Sequence, residues 1–191
     1  MPVPASTAKR LRADAQRNRD ALLATARAVF ARLGTDVPLE VVAQEAGVGR
    51  GTLYRHFPSR EHVLAAIMRD NAAVLEEKAR ELIEAPQLTG GLPDWLRLYD
   101  RFATEFPGMS AHVGGLANDH SPVAGACGPM KDSFARVWDR AQREGQARGD
   151  VTATQALALI SSLPKDPATG RTARPYLDVA LEGLRVLPYD Q

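Results

Sequence analysis

Residues 47–57 read "GVGRGTLYRHF". Two arginines, a threonine, a tyrosine and a histidine stand there beside three glycines, and only Val48, Leu53 and Phe57 have the character of core residues. No nucleophile with an oriented base stands among them, so the chemistry on offer is recognition rather than bond breaking. On a helix, at about 100° per residue, Leu53 and Phe57 share one face. Gly51 and Arg55 lie nearly opposite Leu53, Thr52 and Tyr54 fall on the flanks, and Arg50 stands in the exposed first turn. That surface suits double-stranded DNA. With no side chain at Gly51 the backbone approaches the base edges, and Arg55 reaches guanine O6 and N7 as a bidentate donor. Thr52 and Tyr54 meet phosphate oxygens on the groove walls. His56 and Arg60 extend the phosphate clamp, and the free N–H groups near Arg50 favour an anion. A solvated helix packing through Leu53 and Phe57 would carry the same apolar pair, so the neighbouring elements must decide.

Those neighbours are helical. Between Asp20 and Leu33 the apolar residues Leu22, Ala26, Val29 and Leu33 recur at helical spacing, with Leu23 and Phe30 beside them, and Gly34 marks the stop. Leu39, Val42, Ala43 and Ala46 outline a shorter helix ending at Gly47. The quoted run is a third, stopping near Phe57-Pro58. Three short helices with tight glycine turns form a helix-turn-helix unit, whose second helix of the pair, here about 50–57, enters the major groove. Ser59 is placed to cap a long helix running to about Ala85-Pro86, with Leu64, Ile67, Leu75 and Leu82 on its apolar side. Further helices are expected over 94–106, 130–148, 152–163 and 176–187. Residues 107–129 are too glycine-rich for one stable helix and are expected to hold a broken helix or a loop. "PKDPATGRT" (164–172) reads as a flexible loop. Nothing alternates as a strand does. The expected fold is all-α: a basic, flexible arm over 1–17, a helix-turn-helix unit over 18–58, and a larger helical regulatory and dimerisation domain over 59–191.

Composition agrees with a binder of polyanions. The net charge of +1 hides ten basic against five acidic residues in the first 60, which leaves −4 for the rest. With 191 residues, 45% of them hydrophobic, the chain holds one substantial core plus a small satellite. No apolar run approaches a membrane span, the first residues lack the apolar stretch of a secretory signal, and Cys127 is the sole cysteine. A reducing, cytoplasmic setting is expected. There is no Gly-x-Ser-x-Gly and no phosphate loop, so no enzyme is expected. His112, Asp119, His120 and Cys127 are competent metal donors, but their spacing matches no metal motif, and neither metal nor cofactor is expected.

Two further residue sets follow from the remainder. Trp95, Tyr99, Phe102, Phe106, Phe134 and Trp138, with Leu98, give the second domain the means to enclose an apolar small molecule, with His112 and Cys127 as polar handles in its wall. Taken singly, each aromatic also reads as core. The last two helices carry apolar stripes, Leu157, Leu159 and Ile160 on the first and Leu177, Leu181 and Leu184 on the second. Two such helices can build a four-helix interface across a two-fold axis.

The stretch "PLEVVAQEAGVGRGTLYRHFPSREHVLAAI" resembles the DNA-binding signature of TetR-family transcriptional regulators. The matching elements are Val42-Ala43, Ala46-Gly47-Val48, Thr52-Leu53-Tyr54, His56-Phe57, and Arg60 before Leu64, within about residues 18–68. The resemblance implies an all-α homodimer with a small DNA-binding unit and a larger helical regulatory domain. It also implies DNA-facing positions for Arg50, Gly51, Thr52, Tyr54, Arg55, His56 and Arg60. Two departures are visible. Pro38 stands where a capping Ser or Thr is frequent, and Gly49 replaces a frequent serine. The expected function is a repressor released from a pseudo-palindromic DNA operator by a small-molecule effector. The alternative is an all-helical ligand or protein-interaction module that no longer binds DNA.

Overall fold

The computed structural model describes residues 5–88, 90–109, 121–166 and 169–186, with side chains from residue 13 onward. Among them the chain forms α1 (Ala5–Leu33), α2 (Leu39–Glu45), α3 (Arg50–His56), α4 (Arg60–Glu84), α5 (Gly91–Ala103), α6 (Pro122–Arg143), α7 (Ala153–Ser162) and α8 (Arg174–Gly183). No strand occurs among the described residues; one isolated antiparallel bridge joins Lys165 to Thr172 inside the segment expected as a plain loop.

The first three helices close around one small core. α1 contributes Leu22, Leu23, Ala26, Val29 and Phe30, α2 contributes Leu39, Val42 and Ala43, and α3 contributes Leu53, all buried. Leu33, expected on the same stripe, is exposed. α1 starts at Ala5, so residues expected as a flexible arm continue the helix. Alanine and arginine are strong helix formers, and their propensity favours helix over these residues. The turn between α2 and α3 follows Schellman geometry. Gly47 has φ +66°, its N–H donates to Gln44 O at 3.1 Å, and Val48 N donates to Ala43 O at 3.0 Å. Glycine enters that left-handed conformation without a Cβ clash.

α4 is the spine. It packs against α1 at its start and along α6 and α5 for most of its length. Ser59 occupies its N-cap position in extended conformation without capping an amide; the Ser59 hydroxyl instead meets His62 Nδ1 at 2.8 Å. Its far end is held by Arg140 of α6, which donates to the carbonyls of Leu82 at 2.9 Å and Ile83 at 2.8 Å. A cation there satisfies orphan carbonyls and complements the helix dipole.

α6 begins earlier than glycine content suggests. Residues 122–129, expected as loop or broken helix, form its first two turns. Ser121 caps the helix, its hydroxyl accepting from Ala124 N at 3.0 Å, and Pro122 occupies the first turn, where a missing N–H costs nothing. Val123, Ala126, Cys127 and Met130 bury one face, while Gly125 points to solvent. Packing of that face outweighs the glycine propensity. No helix of the described residues is long and apolar enough to cross a membrane.

Candidate nucleic-acid interface and regulatory cleft

α3 presents its polar side to solvent because Leu53 and Phe57, 0% and 2% exposed, lock its other side into the small core. Gly51 and Arg55 are exposed, and Thr52, Tyr54 and His56 are half-buried on the flanks, as the helical wheel requires. A Cβ placed on Gly51 would meet nothing within 4 Å. Its role as glycine is therefore not internal packing. The open space there suits a surface that another molecule approaches closely.

The cations of the run differ in their partners. Arg55 makes no hydrogen bond or ion pair among the described residues. Arg50 pairs with Glu40 Oε1 of α2 at 3.0 Å and lies 5.5 Å from the Tyr54 ring centroid. The Tyr54 hydroxyl donates to the same Glu40 oxygen at 3.1 Å. Arg60 turns inward, its guanidinium donating to the Thr35 carbonyl in the turn after α1. It fastens that turn to the start of α4 and does not project beside Arg50 and Arg55 in this conformation. Glu40 escaped the sequence reading, and the only signal for it was an acid in the first turn of α2. Its own backbone amide, the Tyr54 hydroxyl and the charges of Arg50 and Arg60 hold its carboxyl below the usual carboxylate range.

The aromatic set divides. Trp95 stacks on Phe134 at 4.3 Å between centroids and on Tyr99 at 5.9 Å, and Phe134 meets Trp138 at 5.8 Å. Both indoles are satisfied: Trp95 Nε1 donates to Leu75 O at 2.9 Å and Trp138 Nε1 to Val151 O at 2.8 Å. Trp95, Phe134 and Trp138 thus form a closed core. Phe106 lies apart, edge-on to Phe30 of α1 at 6.2 Å. His112, Asp119 and His120 fall outside the described residues. Beside the core, between α4, α5 and α6, is a cleft of about 20 Å³ whose walls include Met68, Asn71, Leu75, Tyr99, Phe102 and Cys127. That is room for one water, not for a ligand, in this conformation. A groove of about 820 Å³ runs between α5 and α8 on the outer surface. Ion pairs line it, Arg97 with Asp94 and Asp178 and Arg185 with Glu182, beside the apolar Leu92, Leu96, Leu181 and Leu184.

Burial raises the Tyr99 phenol far above its ordinary range, a contact with the Ser161 hydroxyl acting the other way, so it stays a neutral hydrogen-bonding group in the cleft wall. Burial likewise pushes the Cys127 thiol up to about 11. Its thiolate fraction at pH 8 is then roughly a hundredfold below that of an exposed thiol. Alkylation of native protein by iodoacetamide at pH 8 should be at least that much slower than after denaturation, read by mass spectrometry. Equal rates would place Cys127 in solvent.

The dimerisation candidates face inward. Leu157, Ile160, Leu181 and Leu184 are buried within the single chain, and Leu177 is half-buried. The large apolar side chains that α7 and α8 leave exposed are Leu159, Tyr176 and Val179, at 41%, 52% and 73%. Leu159 borders the same shallow hollow as Ala180 and Gly183 of α8.

Comparison with known proteins matches this architecture over nearly its whole length. Residues 22–67 fit the family model described as bacterial regulatory proteins, tetR family. Residues 89–186 fit that of the transcriptional regulator SbtR-like C-terminal domain. A TetR transcription regulatory protein from Mycobacterium vanbaalenii is 31% identical, with 92% of this chain and 99% of that one covered and a TM-score of 0.56. A TetR transcriptional regulator from Streptomyces coelicolor is 34% identical over 88% of this chain and 98% of that one, TM-score 0.55. AibR, solved in complex with isovaleryl coenzyme A and operator DNA, shares the fold at 16% identity, TM-score 0.57, covering 87% and 97%. No curated protein sequence matches the chain. With an outward-facing basic recognition helix, a helical second unit and family models that account for both, the chain belongs to the TetR family of DNA-binding transcriptional regulators.

Proposed function

We propose that this protein is a cytoplasmic repressor that binds a pseudo-palindromic operator as a homodimer and leaves it when a small molecule enters the cleft between α4, α5 and α6. The observation that carries the reading is the α3 surface. Arg55 is exposed and unpartnered beside the open backbone of Gly51, and both are held outward by buried Leu53 and Phe57. A helix serving only as packing has no need of that arrangement. Arg55 then reads a base, while Arg50, Thr52, Tyr54 and His56 meet phosphates. Arg60 joins them only by leaving Thr35. AibR's complex with a small molecule and operator DNA supports the pairing of these two partners on this fold. The closed cleft suits a mostly apolar effector that must separate the helices to enter.

The test is a gel shift with DNA flanking the protein's own gene. A retarded band competed by the same DNA, and not by unrelated DNA at the same salt, is the expected result. No specific band at any salt would favour the module that no longer binds DNA.

Glu40 refines the reading. It holds Arg50 and Tyr54 with one oxygen and sets a negative charge on the DNA-facing side. In Glu40→Gln, affinity for unrelated DNA should rise several-fold, and the ratio of specific to nonspecific binding should fall. Fluorescence anisotropy with the two DNAs measures both. An unchanged ratio would reduce Glu40 to a surface charge.

A further inference from the structure

The second unit touches the DNA-reading unit through more than α4. Three successive residues after α5 each hold α1 or the turn beyond it. Glu105 Oε1 accepts from Arg27 Nη1 of α1 at 2.9 Å. Phe106 packs edge-on against Phe30 of α1. Pro107 O accepts from Thr35 N at 2.9 Å. The other Glu105 oxygen, Oε2, accepts from Asn71 Nδ2 of α4 at 2.7 Å, and Asn71 is a wall of the α4–α5–α6 cleft. Arg27 itself continues onto α4, donating to Ile67 O at 3.1 Å and Asp70 Oδ2 at 3.2 Å. A single half-buried carboxylate therefore spans from the cleft wall to the helix that carries the reader.

We infer that Glu105 is the positioning residue that couples this cleft to the recognition helix, and that a mostly apolar effector acts by parting α5 from α4 and breaking the contact between Asn71 and Glu105. The inference rests on the effector reading above. The cleft has no spare volume, so a guest must push α5 away from α4. The residues that move first are the end of α5 and the three that follow it. Glu105 then loses its Asn71 donor and draws Arg27 with it, while Phe106 and Pro107 carry the same displacement to Phe30 and Thr35. Two recognition helices at fixed half-site spacing do not tolerate such a shift. A packed junction responds by switching between arrangements rather than by graded deformation.

A substitution that occupies the cleft replaces the unidentified effector as the probe. Cys127→Leu adds volume at the cleft wall opposite Asn71's helix, and its operator affinity is measured by fluorescence anisotropy in the full-length chain with and without Glu105→Ala. With Glu105 present, the filled cleft should weaken operator binding about tenfold, within the ordinary range of allosteric coupling. It should also raise hydrogen exchange at α2 and α3 amides. With Glu105→Ala, the same filling should cost under about twofold and leave that exchange unchanged, because independent sites add and coupled ones do not. An equal loss in both backgrounds, or no loss in either, overturns the relay. Should Cys127→Leu not fold, Ala103→Val fills the cleft from α5 and is read the same way. If the unsubstituted chain binds no operator, the DNA-binding reading fails first, and the exchange measurement still decides the relay.

Discussion

Replacing Arg55 with alanine is expected to lower operator affinity by about 1–3 kcal/mol and to relax base preference at one position of each half-site. The physical case is the contrast between Arg55 and its neighbours. Arg50 already satisfies Glu40 and Tyr54 lends its hydroxyl to the same carboxylate, so both trade one partner for another when they meet phosphate. Arg55 has no partner to give up, and it lies across the helix from Leu53, where the groove floor would be. Its full bidentate contact is therefore realised on binding. Tyr54→Phe should instead weaken binding to all sequences alike, since a phosphate contact carries no base information. A titration series over operators with each base pair varied separates the two. If Arg55→Ala weakens specific and unrelated DNA equally, Arg55 is a phosphate contact and another residue reads the base.

Val179→Asp is expected to yield monomers in sedimentation and to lower operator affinity by at least about a hundredfold, because each recognition helix alone reads only a few base pairs and the second half-site supplies the avidity. Val179 is the most exposed large apolar side chain described. Tyr176 lies one turn before it, and Gly183 one turn after allows close approach of a partner helix. Leu159 of α7 is exposed too and borders a hollow with Ala180 and Gly183 of α8. A charge buried at such an interface leaves no compensating group. Leu181→Asp should behave differently. Leu181 is 5% exposed within the single chain, so a carboxylate there should unfold the second unit rather than divide a dimer, read as loss of helical circular dichroism. A Val179→Asp variant that sediments as a dimer would move the interface away from the last two helices.

The contrast between Val179 and Leu181 shows what periodicity carries and what it omits. Spacing identifies α8 and finds that Leu177, Leu181 and Leu184 share a stripe. It does not say whether that stripe is covered by the same chain or by another copy. Here α5 and α7 cover it, and the dimer candidates move to residues that one-dimensional pattern left unremarked. The aromatic set behaves alike. Composition groups Trp95, Tyr99, Phe102, Phe106, Phe134 and Trp138, yet only Tyr99 and Phe102 border the cleft. Phe106 is at the junction with α1, and the others stack on each other.

What sequence alone determined is the reader. α2, its glycine turn and α3 are set by interactions within about 20 residues: a helical apolar face, a left-handed glycine, and a wheel that puts Leu53 inside and Arg55 outside. Local geometry of this kind follows from residue type, so the buried and outward faces of α3 were legible before any fold was known. Tertiary structure decided the rest. The inward turn of Arg60, the hold of Glu40 on Arg50 and Tyr54, the helix over 122–129 and the Arg27–Glu105–Asn71 relay all join groups that lie on different elements or owe their state to packing. No periodicity encodes such pairings, because which helix faces which is fixed only when all the apolar faces compete for burial in one core.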